Sequence, residues 1–292
     1  MTTTPPLLAV HDLHVAYPGK GLRAARTEVL HGVDLDVRPG ETLGLVGESG
    51  SGKTTIGRAI LGLAPITGGT VTFDGADVTR ASRRLRRELS RSMQVVFQDP
   101  YTSLNPSLLV GDTLAEPLVA HGRSPHDARA EVTDLLDRVG LPRDAARRLP
   151  REFSGGQRQR VAIARALAVR PRLIVCDEPV SALDLTTQAK VLELFLELQR
   201  DLGVAYLFVS HDLAVVRYLS HRVAVIHDGR IVETGPTRDV TEHPADPYTQ
   251  RLLLSAPVAD PSAQRARRER LATLRASSGP AGAAASGSEA AA

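Results

Sequence analysis

The chain has 292 residues, 42% hydrophobic and 24% charged, with 36 basic and 33 acidic side chains leaving a formal charge of +3. That near balance, with only 3% aromatics, argues against a nucleic-acid binder, which typically carries a basic stripe interleaved with aromatic rings. Cys176 is the single cysteine, which excludes an intramolecular disulfide and a cysteine-based metal cluster and suits a reducing compartment.

The first residues contain no basic stretch followed by an apolar one, so no signal peptide is expected. No apolar run approaches the ~20 residues of a membrane-spanning helix, so a soluble chain is expected, with any membrane role supplied by a partner. Leu8, Val10, Leu13 and Val15 alternate imperfectly and read as a strand ending at Tyr17-Pro18-Gly19. A second strand is expected from Val33 to Val37, before the turn at Pro39-Gly40. The short apolar run Leu43–Val46 suits a buried parallel strand, and it feeds a Gly/Ser-rich turn and the helix-like Thr54–Leu61. Val71–Phe73 followed by Asp74-Gly75 reads as a strand and tight turn, and the Arg-rich residues 80–92 as a solvated helix. From Thr113 to Arg148 the period is helical, broken by Gly122, Pro125, Gly140 and Pro142, which suggests a helical insertion. Then come helix Gln157–Val169, strand Leu173–Cys176, a helix from about Thr186 to Leu202 stopped by Gly203, and strand Ala205–Val209. Val223–Ile226 and Ile231–Glu233 flank Asp228-Gly229 as an edge hairpin. Beyond Arg275 the Ser/Gly/Ala composition has too little apolar bulk to offset chain entropy, and disorder is expected.

Gly47-Glu48-Ser49-Gly50-Ser51-Gly52-Lys53-Thr54 fits the phosphate-loop pattern, and Thr55 directly after it is expected to bind nucleotide with the loop. The glycines let successive N–H groups turn inward toward phosphate oxygens, and the helix adds its positive dipole end. Lys53 then supplies a charge to the β- and γ-phosphates of a nucleotide, and the Thr54 hydroxyl a ligand to Mg²⁺. A chance match in a chain of this length is about one per cent or less. Strand Leu173–Cys176 ends in Asp177-Glu178, and parallel sheets gather their chemistry at the carboxyl ends of strands. Asp177 is placed to hold Mg²⁺, mostly through water, and Glu178 to orient and polarise an attacking water. Alone, the two acids read equally well as a solvated strand-to-loop junction; beside the phosphate loop they gain a purpose. Cys176 reads as a small core residue rather than a reactive thiol.

Phe153-Ser154-Gly155-Gly156-Gln157-Arg158-Gln159-Arg160 resembles the signature sequence of ABC transporter ATP-binding subunits. Taken alone, Ser154 would be an ordinary helix N-cap. The resemblance spans roughly residues 8–258. It implies a P-loop (RecA-like) α/β core, an N-terminal antiparallel β-subdomain and an inserted helical signature subdomain. It also implies that Ser154, Gly155, Gly156 and Gln157 meet ATP held by a second such domain in a head-to-tail dimer. Gln98 looks like the glutamine that touches Mg²⁺ or the water where the membrane partner docks. Asp184, in Ser181-Ala182-Leu183-Asp184, looks like part of the loop crossing the dimer interface, and His211 like the histidine contacting the γ-phosphate. Tyr17 resembles the aromatic that stacks on adenine, although it also suits packing at a strand end.

Phe97–Pro106, Cys176–Asp184 and His243-Pro244-Ala245-Asp246-Pro247-Tyr248-Thr249 resemble the oligopeptide/dipeptide/nickel importer branch, and more closely its second ATPase subunit. The resemblance implies an ATPase energising solute import, with ATP and Mg²⁺ as its cofactors. It places an ATPase domain at 6–258 with its helical subdomain at about 99–160, a C-terminal extension at 236–275 and a disordered tail at 276–292. Expected partners are a second ATPase subunit (a heterodimer, or a homodimer), two integral permeases and, indirectly, a solute-binding protein, on the cytoplasmic face of a bacterial membrane. No nucleic acid is expected. Some members of the branch carry a C-terminal cysteine cluster; this chain has none there, so no iron–sulfur cluster is expected. The rivals are a soluble repair- or translation-type ABC ATPase and an exporter subunit. Only 154 − 98 = 56 positions separate Gln98 from Ser154, which leaves room for a helical arm but not a long coiled coil. The basic stretch 264–275 reads as a solvated helix face or as an amphipathic helix on lipid headgroups.

Overall fold

Ten strands form two sheets in the computed structural model, which describes residues 5–19, 26–99 and 103–255. In chain order the strands are β1 Leu8–Tyr17, β2 Thr27–Val37, β3 Thr42–Val46, β4 Ile66–Phe73, β5 Ala76–Asp77, β6 Met93–Val96, β7 Leu173–Asp177, β8 Ala205–Ser210, β9 Arg222–His227 and β10 Arg230–Pro236. The first sheet is antiparallel, in the order β2-β1-β4-β5, and the second runs β10-β9-β3-β8-β7-β6. In the second sheet only the β9–β10 hairpin is antiparallel, and β10 is an edge strand as the Asp228-Gly229 turn predicted.

Helices fill the connections: α1 Lys53–Ile60, α2 Arg83–Ser92, α3 Val110–Ala120, α4 Pro125–Arg138, α5 Gly155–Leu167, α6 Leu185–Leu202, α7 Leu213–Leu219, α8 Thr237–Glu242 and α9 Pro247–Ser255. Because side chains alternate along β3, Leu43 and Leu45 face one layer and Val46 another. The Leu43 face packs with α1 and the antiparallel sheet. Ile174, Cys176, Tyr206 and Phe208 face α6 and the helical unit. There Phe195 meets the rings of Tyr206 and Phe208 edge-on, with centroids 5.4 and 5.6 Å away, the arrangement ring quadrupoles favour. A third cluster joins Val46, Val223 and Val225 to Val216, Val240 and Tyr248, so α7, α8 and α9 cover that end of the sheet.

Several boundaries differ from the sequence reading. β2 starts at Thr27, not Val33, because its first half pairs as a polar strand against β1, with His31 opposite His14. β4 starts at Ile66, carrying Gly68 and Gly69 past the bulged part of β1. β6 and α7 were not anticipated: β6 is four residues directly after an Arg-rich helix, and α7 is seven residues long. The expected helical stretch from Thr113 to Arg148 is α3, α4 and a 3-10 turn over Arg143–Arg147, starting at Val110 and carrying Pro117 inside α3. α2 has no buried residue, as its composition indicated. The segments 264–275 and 276–292 lie outside the described residues.

Candidate nucleotide site

Parallel pairing brings four loops to one edge. Val46 lies opposite Ser210, Val209 opposite Asp177, and Cys176 opposite Val96, so the residues after β3, β8, β7 and β6 leave the sheet side by side. Those are the Gly47–Thr54 loop, His211, Glu178 and Gln98 respectively.

The loop is shaped by close approach. A Cβ on Gly47 would lie 2.2 Å from the Ile226 carbonyl oxygen, so only glycine fits there. Gly52, at φ 109°, sits as N-cap of α1 in a left-handed conformation that L side chains rarely adopt. Behind the loop, Lys53 is 5% exposed and donates to the carbonyls of Gly47 at 2.9 Å and Glu48 at 2.8 Å. Burial lowers its pKa, with Glu178 and Asp177 pulling the other way. Thr54 Oγ1 donates to Asp177 Oδ1 at 3.0 Å. Desolvation raises the Asp177 pKa, opposed by the Thr54 hydrogen bond. His211 Nδ1 lies 2.9 Å from Glu178 Oε2. Glu178 itself sits at φ 48°, a strained conformation for a non-glycine residue, held by its N–H to the Val209 carbonyl and by Ser181 on its own carbonyl.

These groups fit a nucleoside triphosphate and a divalent cation. The Ser51 hydroxyl is buried within the loop with no hydrogen-bond partner among the described residues. A buried hydroxyl of that kind and a desolvated ammonium, at a glycine-rich turn that leads into a helix N-terminus, together make an anion cradle. Thr54 and Asp177 are a hydroxyl and a carboxylate already in contact, a hard-oxygen pair suited to Mg²⁺ alongside phosphate oxygens. No cluster of three or more His, Cys, Asp or Glu side chains among the described residues could hold a metal by itself, so such a cation would need the phosphates.

The remaining predicted residues lie apart from these contacts. Gln98 is exposed just beyond β6. Ser154 caps α5 in a reciprocal capping box: its Oγ accepts from the Gln157 N–H at 3.3 Å, and its own N–H donates to Gln157 Oε1 at 3.0 Å. Asp184 caps α6 by accepting from the Thr187 N–H at 3.0 Å, which holds its carboxyl below the usual range. Gly156 packs against Thr187, bringing the two helix starts together. Among the described residues, Ser154, Gln157 and Asp184 bond within their own helix starts and not to residues 47–55 of the same chain. Tyr17 is half-buried at the end of β1 opposite Thr27, packed on the core beneath. Cys176 is fully buried, and burial pushes its thiol well up, so it is inert packing as its apolar setting suggested.

Two supports of the loop were missed. Gly229, in the β9–β10 turn, donates its N–H to the Ser51 carbonyl at 3.0 Å, and the Tyr248 hydroxyl accepts the Glu48 N–H at 3.1 Å. The Pro247-Tyr248-Thr249 motif was visible, but nothing in it announces a partner 200 positions earlier.

Comparison with known proteins gives a consistent outcome. The ABC transporter family model matches residues 30–181, and that of the oligopeptide/dipeptide transporter C-terminal region matches 232–282. The glutathione import ATP-binding protein GsiA of Escherichia coli (strain K12) is 52% identical over 268 residues, covering 90% of this chain and 43% of that protein. GsiA of Pectobacterium atrosepticum is 51% identical over 262 residues, covering 88% and 42%. The chain thus spans less than half the length of these curated relatives. Among solved structures, cbiO1 from Clostridium perfringens, part of the ABC transporter complex cbiONQ, matches with TM-score 0.72 and 26% identity over 82% of this chain and 91% of that one. The dimeric ATP-binding cassette MJ0796, in a post-hydrolysis state bound to ADP and Pi, matches with TM-score 0.70 and 29% identity over 79% and 99%.

Proposed function

The chain belongs to the ABC transporter family, and from that premise we propose that it is an ATP-hydrolysing subunit that energises import of oligopeptides, dipeptides or a related small solute. One observation carries the reading: Lys53, the Thr54–Asp177 pair and the Glu178–His211 pair stand together at the ends of three neighbouring parallel strands. The solute class is supported by the C-terminal match and by relatives that are glutathione import proteins.

In this mechanism residues 47–55 receive the phosphates on backbone N–H groups. Lys53 turns its ammonium from the Gly47 and Glu48 carbonyls to phosphate oxygens, where desolvation strengthens its field. Thr54 and Asp177, with Gln98 reaching in from the end of β6, would hold Mg²⁺, which neutralises phosphate charge and fixes the γ-phosphate for in-line attack. Glu178 orients the water and draws on its proton, and His211 steadies that carboxylate and reaches the γ-phosphate. Tyr17 stacks on the base.

Ser154, Gly155, Gly156 and Gln157 serve the nucleotide of a second ATPase subunit, in a heterodimer or a homodimer, with Asp184 crossing between the two. Leu185, a leucine left 82% exposed beside Asp184, supports an apolar partner surface there. Phe97, Leu108 and Leu109 expose apolar side chains around the Gln98 segment and support docking of two permease subunits; a solute-binding protein acts through them. No helix among the described residues is long and apolar enough to cross a membrane, so the cytoplasmic-face position follows from the permeases.

The test is Glu178→Gln in the assembled transporter. ATP binding should persist, a closed dimer should accumulate, and turnover should fall by about two orders of magnitude or more. Hydrolysis at the wild-type rate would remove Glu178 from the mechanism.

A further inference from the structure

The Glu48 residue of the phosphate loop is gripped at both ends. Its carbonyl accepts from the Lys53 ammonium at 2.8 Å, and its N–H donates to the hydroxyl of Tyr248 at 3.1 Å. Tyr248 is 6% exposed, and its ring stacks on His227 at a centroid distance of 3.8 Å and an interplanar angle of 23°. His227 ends β9, whose preceding residue, Ile226, supplies the carbonyl that lies against Gly47. The Tyr248 N–H in turn donates to Asp246 Oδ1 at 2.7 Å, which fixes the start of α9. Ring stack, helix start and hydroxyl thus form one rigid support, and its polar tip touches the loop at a single peptide N–H.

We propose that Tyr248 is a positioning residue for the nucleotide site, so that the C-terminal region acts as a strut of the phosphate loop. The inference rests on the ATP-binding reading above. When Lys53 leaves the Glu48 carbonyl to meet phosphate, that carbonyl keeps the Ser51 N–H at 3.2 Å from within the loop, and the Tyr248 bond is what ties the residue to the body of the protein. Without it the Glu48 N–H seeks water, the loop spreads over several conformers, and only a fraction of them presents its N–H groups together. Apparent affinity falls by that fraction. The same grip acts on substrate and transition state alike, so the effect belongs in binding rather than in turnover.

The experiment uses the full chain and a fluorescent ATP analogue with Mg²⁺, titrated into wild type, Tyr248→Phe and Leu252→Ala. Phenylalanine keeps the ring, its burial and its stack and removes only the hydroxyl. Leu252→Ala weakens α9 packing on the third core without touching the loop. The expected result is an affinity loss of about tenfold in Tyr248→Phe, with its thermal midpoint in the absence of nucleotide close to wild type. Leu252→Ala should lower that midpoint and keep affinity within about twofold of wild type. In the assembled transporter Tyr248→Phe should raise KM with little change in kcat. Unchanged affinity in Tyr248→Phe would overturn the inference, and so would an equal loss in Leu252→Ala, which would make the effect one of general packing. Wild-type protein that bound no nucleotide would bring down the ATP-binding reading and this inference together, whereas an idle Tyr248→Phe in a protein that binds nucleotide brings down the inference alone.

Discussion

Asp177 is held where a carboxylate is costly. Desolvation raises its pKa, and the Thr54 hydrogen bond at 3.0 Å offsets only part of that. An acid whose folded pKa is raised stabilises the fold only when protonated. The destabilisation is therefore full above the raised folded value and gone below the ordinary carboxylate value. Asp177→Asn keeps an oxygen that can accept from Thr54 and removes the charge. It should raise the nucleotide-free thermal midpoint by about 2 °C at neutral pH. That gain should shrink as pH falls from the raised value to the ordinary one, measured by melting curves across acid pH. In the same variant, added Mg²⁺ should no longer strengthen nucleotide binding. The strained backbone of Glu178, at φ 48°, sits one residue along, so two successive residues give up stability for the position of their side chains.

Helix starts decide how α5 and α6 meet. Both are capped by side chains, Ser154 and Asp184, and their first turns touch through Gly156 and Thr187. A Cβ on Gly156 would lie 2.2 Å from Thr187 Cγ2, so the Thr187 side chain must turn to a less favoured rotamer or the two helix starts must part. Gly156→Ala should therefore destabilise by about 1–2 kcal/mol, overpacking outweighing the better helix propensity of alanine. Thr187→Ser removes that methyl and keeps the N–H that Asp184 accepts. Combined with Gly156→Ala it should restore most of the loss, a coupling that urea denaturation of both single variants and the double variant would measure. A signature glycine thus has a packing duty in its own chain besides the role proposed for it toward a partner.

Three apolar clusters divide the described residues: one under the antiparallel sheet, one between the parallel sheet and the helical unit, and one beneath α7, α8 and α9. The third depends on residues beyond the last strand, since Val240 and Tyr248 are buried and Leu252 and Leu253 are partly so. A chain ended after Pro236 would expose Val46, Val216, Val223 and Val225, the first of them directly before the phosphate loop. The truncation should cost about 3–6 kcal/mol of unfolding free energy, the burial of two to three large side chains. Equilibrium urea unfolding of the shortened and full chains would measure it, and equal stabilities would mean that α8 and α9 are mere appendages.

The phosphate loop, the strand ending in Asp177-Glu178 and the Ser154 cap were legible in the sequence because each is local. A glycine spacing, an apolar run and an i,i+3 capping pair state their geometry within a few residues. Most strand and helix periods were legible for the same reason, whereas β6 and α7 were too short to display one. Only the tertiary structure could set Thr54 on Asp177 across 123 positions, His211 on Glu178 across 33, and Tyr248 on Glu48 across 200. Strand register fixes which loop ends meet, and register is settled by packing between distant segments rather than by the residues of any one of them.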